Sequence, residues 1–227
     1  MNPQQITITT SDRYVLAGNY WQGTTHNAVI YLHQFRRDKN DVQIFLPELL
    51  SRGYHVLSID LRGHGQSQGE RDKFSDEDFK AMFADAKSAY EFLESIHPTM
   101  SVQMIGSSIG ANTALIYQEM NTLESVVAIS PSLNYHGIMP EASNLSNIAM
   151  PIMYITSAQD SCARDTKQLY EDSPVTPDGL NLLKEYPGNA HGIDIIRDNK
   201  QALADIISWL DAHAGKGLAQ MKTVPKN

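Results

Sequence analysis

The spacing of apolar positions changes several times along the chain, and each change marks an element. Ile6-Thr7-Ile8-Thr9 and Tyr14-Val15-Leu16-Ala17-Gly18-Asn19-Tyr20-Trp21 are β-prone runs parted by Ser11-Asp12-Arg13, which predicts an antiparallel hairpin. Beyond the hairpin, residues 28–32, 56–59, 126–129 and 150–156 are short apolar runs of the kind buried on both faces of a parallel sheet. Helical spacing fills the gaps. Residues 41–52 offer Ile44, Phe45, Leu46, Leu49 and Leu50 to one side. Over 76–97, Phe79, Met82, Phe83, Ala86, Tyr90 and Leu93 recur every three or four positions until Pro98 stops the helix. A strand, a sharp turn and a helix running to about residue 120 are predicted from Ser101 onward. Residues 166–171 read as helix, 182–186 as the last strand and 195–210 as an amphipathic closing helix.

Strands alternating with helices after an initial hairpin imply a mostly parallel sheet of about eight strands covered on both faces. Ligands bind such sheets outside the carboxyl ends of the strands. Residues 1–214 are read as one domain. Residues 130–149 are less regular and form a short excursion over the active face, too short for a separate lid domain, while 215–227 lack apolar periodicity and read as a mobile tail.

At 227 residues the chain is long enough to bury a substantial core without disulfides. Cys162 is its single cysteine, which excludes an intramolecular disulfide and a cysteine-based zinc site and agrees with a reducing compartment. A net charge of −8 argues against nucleic acid and other polyanions as partners. The first 21 residues hold no basic segment followed by an apolar one, and no run is long enough to cross a bilayer. The expectation is a soluble, cytoplasmic protein, with removal of a secretion signal left open and the oligomeric state unknown.

The candidate chemistry centres on Gly106-Ser107-Ser108-Ile109-Gly110. This Gly-x-Ser-x-Gly spacing fits a nucleophile elbow, in which Ser108 stands on a strained turn between strand and helix and the flanking glycines leave room for neighbouring backbone. A serine hydroxyl is a weak nucleophile at neutral pH and needs a base. Of eight histidines, His191 follows the last predicted strand in Gly188-Asn189-Ala190-His191-Gly192. His213 lies near the end of the closing helix, where it favours the negative terminus. His26, His55, His97 and His136 read as surface or packing residues, and His33 and His64, although nearer the site, as structural. Ser107 is turned away from His191 by its place one residue before the tip.

The chain resembles the α/β-hydrolase family on four segments: Leu32-His33-Gln34-Phe35, Asp60-Leu61-Arg62-Gly63-His64-Gly65-Gln66-Ser67, the elbow, and Asn189-Ala190-His191-Gly192. Within the family it looks like the compact, small-capped serine esterases and dienelactone-hydrolase-like members. The resemblance implies a Ser-acid-His order, and Asp160, in the turn after residues 152–156, fits the acid better than Asp165, Asp172 or Glu141. It also implies backbone amides of Phe35 and Ile109 as oxyanion donors, although His33-Gln34-Phe35 departs from the more usual His-Gly start. Arg62-Gly63-His64-Gly65 is expected to shape its own turn. Gln34 and Arg36 are weak substrate-contact candidates, and the cluster of Arg36, Arg37 and Lys39 reads better as a solvated loop than as an anion trap. The expected activity is hydrolysis of a small carboxylic ester, short-chain or aryl, through an acyl-enzyme. Peptide or thioester hydrolysis on the same triad, and a catalytically silent binding module, stay open. No metal or organic cofactor is implied.

Overall fold

The computed structural model describes residues 2–118, 123–140, 150–173 and 181–215. Eight strands form one sheet: β1 Gln4–Thr9, β2 Val15–Trp21, β3 Asn27–Leu32, β4 His55–Ile59, β5 Ser101–Ser107, β6 Ser125–Ile129, β7 Ile152–Ser157 and β8 Leu182–Tyr186. Their order across it is β1-β2-β4-β3-β5-β6-β7-β8. β1 pairs antiparallel with β2, and β2 antiparallel with β4. Every later pairing is parallel, so the carboxyl ends of β3 to β8 share one edge. This is the expected α/β-hydrolase architecture.

Parallel strands β3 to β7 are buried on both faces, and alternate residues feed two cores. Ile30, Leu32, Leu57, Ile59, Met104, Ala128 and Tyr154 face one core, together with Leu93 and Leu115 from the covering helices. Val29, Tyr31, Val56, Ile105, Val127 and Ile155 face the other, with Leu49, Ile206 and Leu210. At about 25 cal/mol per Å² of apolar surface removed from water, this two-sided burial dominates the stability of the sheet.

Helices are α1 Leu46–Ser51, α2 Asp76–Lys80, α3 Met82–Ile96, α4 Ile109–Gln118, α5 Ala163–Asp172, α6 Ile193–Asp198 and α7 Lys200–His213. Three predicted helices are broken or tighter than expected. The one over 41–52 becomes a 3-10 turn at Lys39–Ile44 followed by α1, because Pro47 in the first turn of α1 has no N–H with which to continue the earlier ladder. The one over 76–97 divides at Ala81, whose ψ of −6° is too flat for an α-helix. The closing helix divides at Asn199, which is extended (φ −129°, ψ 102°). Part of the 130–149 excursion, the end of the helix predicted to residue 120 and nearly all of the tail lie outside the described residues. No helix among the described residues is long and apolar enough to cross a membrane.

The turn after β4 is built around charge. Arg62 is 1% exposed. Its guanidinium donates to Asp85 at 2.7 and 2.9 Å and to Asp12 at 2.7 Å, and its amide donates to the other Asp85 oxygen at 2.8 Å. Burial pushes the Asp85 carboxyl up to about 6, against the pull of Arg62. A buried pair of this kind gains little net stability but is costly to break from one side. It clamps the hairpin and α3 to the turn that carries His64, which is the structural role expected of this motif.

Candidate active site

The elbow forms because its neighbours leave no room for side chains. Ser108 has φ of 52°, in the left-handed region that a non-glycine residue enters only under constraint. A Cβ on Gly106 would stand 2.6 Å from Ala111 Cα, and one on Gly110 would stand 2.7 Å from the His33 carbonyl oxygen. α4 therefore starts directly over β5 and against the end of β3. The Ser108 amide donates to Ile129 at 2.8 Å, and the Ser108 carbonyl accepts from Ala111 and Asn112, which pins the turn from both sides.

Ser108, Asp160 and His191 come together at the carboxyl edge of the sheet. The Ser108 hydroxyl lies 2.9 Å from His191 Nε2, and His191 Nδ1 lies 2.8 Å from Asp160 Oδ1. A carboxylate only accepts, so Nδ1 carries the proton of the neutral ring and Nε2 offers its lone pair to Ser108. Burial raises the Asp160 pKa, but hydrogen bonds from His191, Ser130 and the Cys162 amide outweigh it and hold the carboxyl below its ordinary value. His191 is raised above its ordinary 6.5, first by Asp160 and then by the Cys162 side chain, against burial. Each shift stabilises an imidazolium facing a carboxylate.

The Asp160 and His191 loops are zipped together by backbone. Ala158 N–H donates to Tyr186 at 2.8 Å and Gln159 N–H to Gly188 at 2.9 Å, while the Ser157 hydroxyl donates to the Ala190 carbonyl. Ser130, which the sequence reading treated only as the start of the excursion, is a further member. It sits just beyond β6 with φ of 52°, donates its hydroxyl to the second Asp160 oxygen, and accepts from Gly192 N–H at 2.9 Å. Its place at a strand end was the one signal available, and nothing in Ile129-Ser130-Pro131 told it apart from an ordinary loop serine.

Gln34 holds the same loop from the other side. Its side-chain oxygen accepts from the Ser107 hydroxyl at 3.1 Å and from Ile193 N–H at 2.8 Å. Gly192 passes so close to that oxygen that a Cβ there would collide with it, and also with Ser107 Oγ. The side-chain oxygen of Gln34, a residue weighed above as a weak substrate contact, and the hydroxyl of Ser107 are thus engaged within the protein.

Ile109 opens α4, where the first amides have no acceptor within the helix. The Phe35 ring is partly buried and packs 5.5 Å from His64, 5.9 Å from Tyr135 and 6.1 Å from both Phe79 and His136. Of the basic cluster, Arg37 pairs with Asp41 and Asp194. Lys39 is buried against Asp60 at 2.6 Å, which corrects its reading as a solvated loop residue, because the aspartate just beyond β4 reaches back to it. Arg36 is exposed and lies over the Phe35 ring at 5.5 Å. Three other histidines are engaged by backbone or aromatic neighbours. His55 donates to the Thr25 carbonyl and accepts from Tyr20 at 2.6 Å, His136 stacks on Phe79 at 4.4 Å, and His213 donates to the Trp209 carbonyl at 2.8 Å.

Sheet order, elbow and strand-end site define an α/β hydrolase. The family described as serine aminopeptidase, S33 matches residues 23–171, about two thirds of the chain, and the chain belongs to it. The match includes Ser108 and Asp160 and ends before His191. No curated protein sequence matches the chain. Among solved structures, the Pyrococcus furiosus esterase Pf2001 is similar at 21% identity and a TM-score of 0.78, over 94% of this chain and 93% of that one. A thermostable carboxyl esterase from Bacillus coagulans in complex with glycerol is similar at 14% identity and 0.79, over 94% and 99%. Est1E from Butyrivibrio proteoclasticus with bound ferulic acid is similar at 12% and 0.72, over 91% and 99%. At these identities the likeness is one of fold. Family and neighbours together mark the chain as a hydrolase of the serine hydrolase and esterase group.

Proposed function

We propose that the protein is a serine hydrolase that cleaves a small carboxylic ester through an acyl-enzyme. The observation that carries this reading is the unbroken chain from Ser108 Oγ through His191 to Asp160, at 2.9 and 2.8 Å, with the serine on a left-handed turn. His191 Nε2 takes the hydroxyl proton as Ser108 attacks the carbonyl, and the resulting imidazolium faces the Asp160 carboxylate. The amides of Phe35 and Ile109 hold the oxyanion, a contribution typically worth roughly 10²–10³-fold in kcat per donor. The imidazolium then returns its proton to the leaving alkoxide, and water, activated by the same nitrogen, releases the acid.

Short-chain and aryl esters are the preferred substrates. The excursion from residue 130 leaves little chain for a long acyl tunnel, the Phe35 ring beyond β3 meets those of Tyr135 and His136, and the structurally similar Est1E holds a ferulic acid. The family description favours peptide hydrolysis as the alternative.

The test is a fluorophosphonate probe with mass analysis, then p-nitrophenyl esters of increasing acyl length beside an aryl ester and an aminoacyl amide. One phosphonyl adduct on Ser108 and fastest turnover of short or aryl esters are expected. Absence of the adduct would leave a silent binding module. Preference for long acyl chains or for amides would replace the ester reading.

A further inference from the structure

Cys162 is a potential metal ligand beside His191 that the proposed reaction does not use. It lies two residues beyond Asp160, is half-buried just before α5, and its amide donates to Asp160 Oδ1 at 3.0 Å. Its Sγ, an Asp160 oxygen and a His191 ring nitrogen all lie within 4.8 Å of one another. The single cysteine, taken above to exclude a cysteine-based zinc site, excludes only one built on several thiolates. It does not exclude a mixed site whose other ligands arrive from β7 and from the loop after β8.

We propose that Asp160, Cys162 and His191 form a binding site for a thiophilic divalent cation of the Zn²⁺ or Cd²⁺ type, and that occupancy switches off the hydrolase. Carboxylate, thiolate and imidazole are the ligand types such ions take, with bonds of about 2.0–2.3 Å. Tetrahedral bonds of that length set ligand atoms about 3.3–3.8 Å apart. The thiol has to close part of the 4.8 Å spread, and the 2.8 Å Nδ1 to Oδ1 hydrogen bond has to open. Two protons account for the balance. The thiol loses its proton to solvent as the sulfur–metal bond forms. The proton on Nδ1 gives way to the metal while Nε2 gains one, so the ring stays neutral in the opposite tautomer. Nε2–H then has no lone pair for the Ser108 proton, and the base is lost although no residue has left the site.

This switch rests on the assignment of Ser108 and His191 above, but the site itself can be read without substrate. Titrating the metal-free protein with Cd²⁺ is expected to give an ultraviolet thiolate-to-metal charge-transfer band at one ion per chain. Nitrogen NMR of His191 is expected to show the proton moving from Nδ1 to Nε2. Zn²⁺ is expected to abolish p-nitrophenyl acetate turnover and phosphonate labelling, with recovery on adding EDTA. Cys162→Ser and Cys162→Ala should lose the band, and each, scored against its own metal-free rate, should need at least about tenfold more Zn²⁺ for the same inhibition, since losing even an outer-shell partner of a metal ligand typically costs about 10–100-fold. Asp160→Asn and His191→Ala should weaken Cd²⁺ binding comparably. A band unchanged in those two variants would mean an isolated thiol and overturn the site. Equal Zn²⁺ sensitivity in the Cys162 variants would overturn the switch. If wild type neither hydrolyses esters nor takes the phosphonate, the band and the tautomer shift still decide whether the site exists.

Discussion

Two histidines stand at carboxyl ends of strands in this sheet, and their surroundings make opposite use of them. His33, directly after β3, is fully buried. Its Nε2 accepts from Leu61 N–H at 3.0 Å, and its Nδ1–H donates to the Gln34 carbonyl at 2.8 Å. Burial, and then the neighbouring His64, lower its pKa to about 4. Both nitrogens are consumed by backbone, so the ring is a neutral spacer that shapes the turn toward Phe35. His191, after β8, keeps a side chain 34% exposed, and its partners are a carboxylate and a hydroxyl. Its pKa moves the other way. Position at the active edge makes a histidine available, and the chemistry of its two partners decides whether it can exchange a proton.

Breaking the His191 side should have the largest effect. Ser108→Ala and His191→Ala should each lower kcat by roughly 10⁴–10⁶-fold, and the double variant should be little worse than either, because such residues act as a unit. Asp160→Asn should cost less than loss of Ser108. The measurement is single-turnover hydrolysis of p-nitrophenyl acetate by variants shown to be folded. More than a few per cent of wild-type kcat in Ser108→Ala would sink the assignment. The pH profile sharpens the same point. Only neutral His191 can take a proton, so kcat/KM should fall about tenfold per pH unit on the acid side, and with Asp160 stabilising the imidazolium that limb should lie above pH 6.5.

The His33 side should appear in stability rather than rate. An unfolded chain takes up a proton at His33 near pH 6.5, but the folded protein does so only near 4, so between these values the unfolded state binds more protons. The stabilisation is complete above pH 6.5 and is lost as the pH falls toward 4, of order 3 kcal/mol in all. Urea unfolding at pH 7.5 and 4.5 measures it. His33→Asn, scored against its own stability at pH 7.5, should show a flatter acid limb. An equally steep limb would mean that His33 titrates normally.

Much of this contrast was open to reading from sequence, and its limits are physical. Gly106 and Gly110 announce the elbow because their spacing around Ser108 fits its backbone sterics and falls between a strand and a helix, and residues 152–156 and 182–186 announce the strands from which Asp160 and His191 emerge. Ser130, Cys162 and the Gln34 oxygen were not legible in the same way. Each acts on the His191 loop through contacts 29 to 159 residues away, and a local pattern holds no record of those. The splitting of the closing helix was hidden for a related reason: Asn199 is compatible with helix, and the packing of α6 beside the site and α7 on the core decides its conformation.

Gln34 connects the two histidine loops and gives the next smaller effect. Gln34→Leu removes the acceptor for Ser107 Oγ–H and Ile193 N–H and should cost about 1–3 kcal/mol for donors left unpaired, with a fall in kcat from a looser His191 loop. Gln34→Glu keeps an acceptor there and should recover most of both. If Gln34→Leu changed only KM, its main role would be with substrate.

The smallest effect on turnover is expected from Phe35→Ala. The proposed donor at this position is the backbone amide, which alanine retains, so kcat should change by much less than the roughly 10²–10³-fold typical of losing a side-chain donor. What alanine removes is a half-buried ring that meets Tyr135 and His136 from the excursion, with the Arg36 and Arg71 guanidiniums 5.5 and 5.6 Å from its centroid. Loss of that surface should cost about 1–2 kcal/mol of stability and raise KM for aryl esters more than for acetyl esters. A phosphonate adduct structure tests the premise directly. Both amides, of Phe35 and Ile109, should lie about 2.7–3.1 Å from the phosphoryl oxygen. An oxygen held instead by Gln34 would transfer the donor role to that residue, and Phe35→Ala would then report on packing alone.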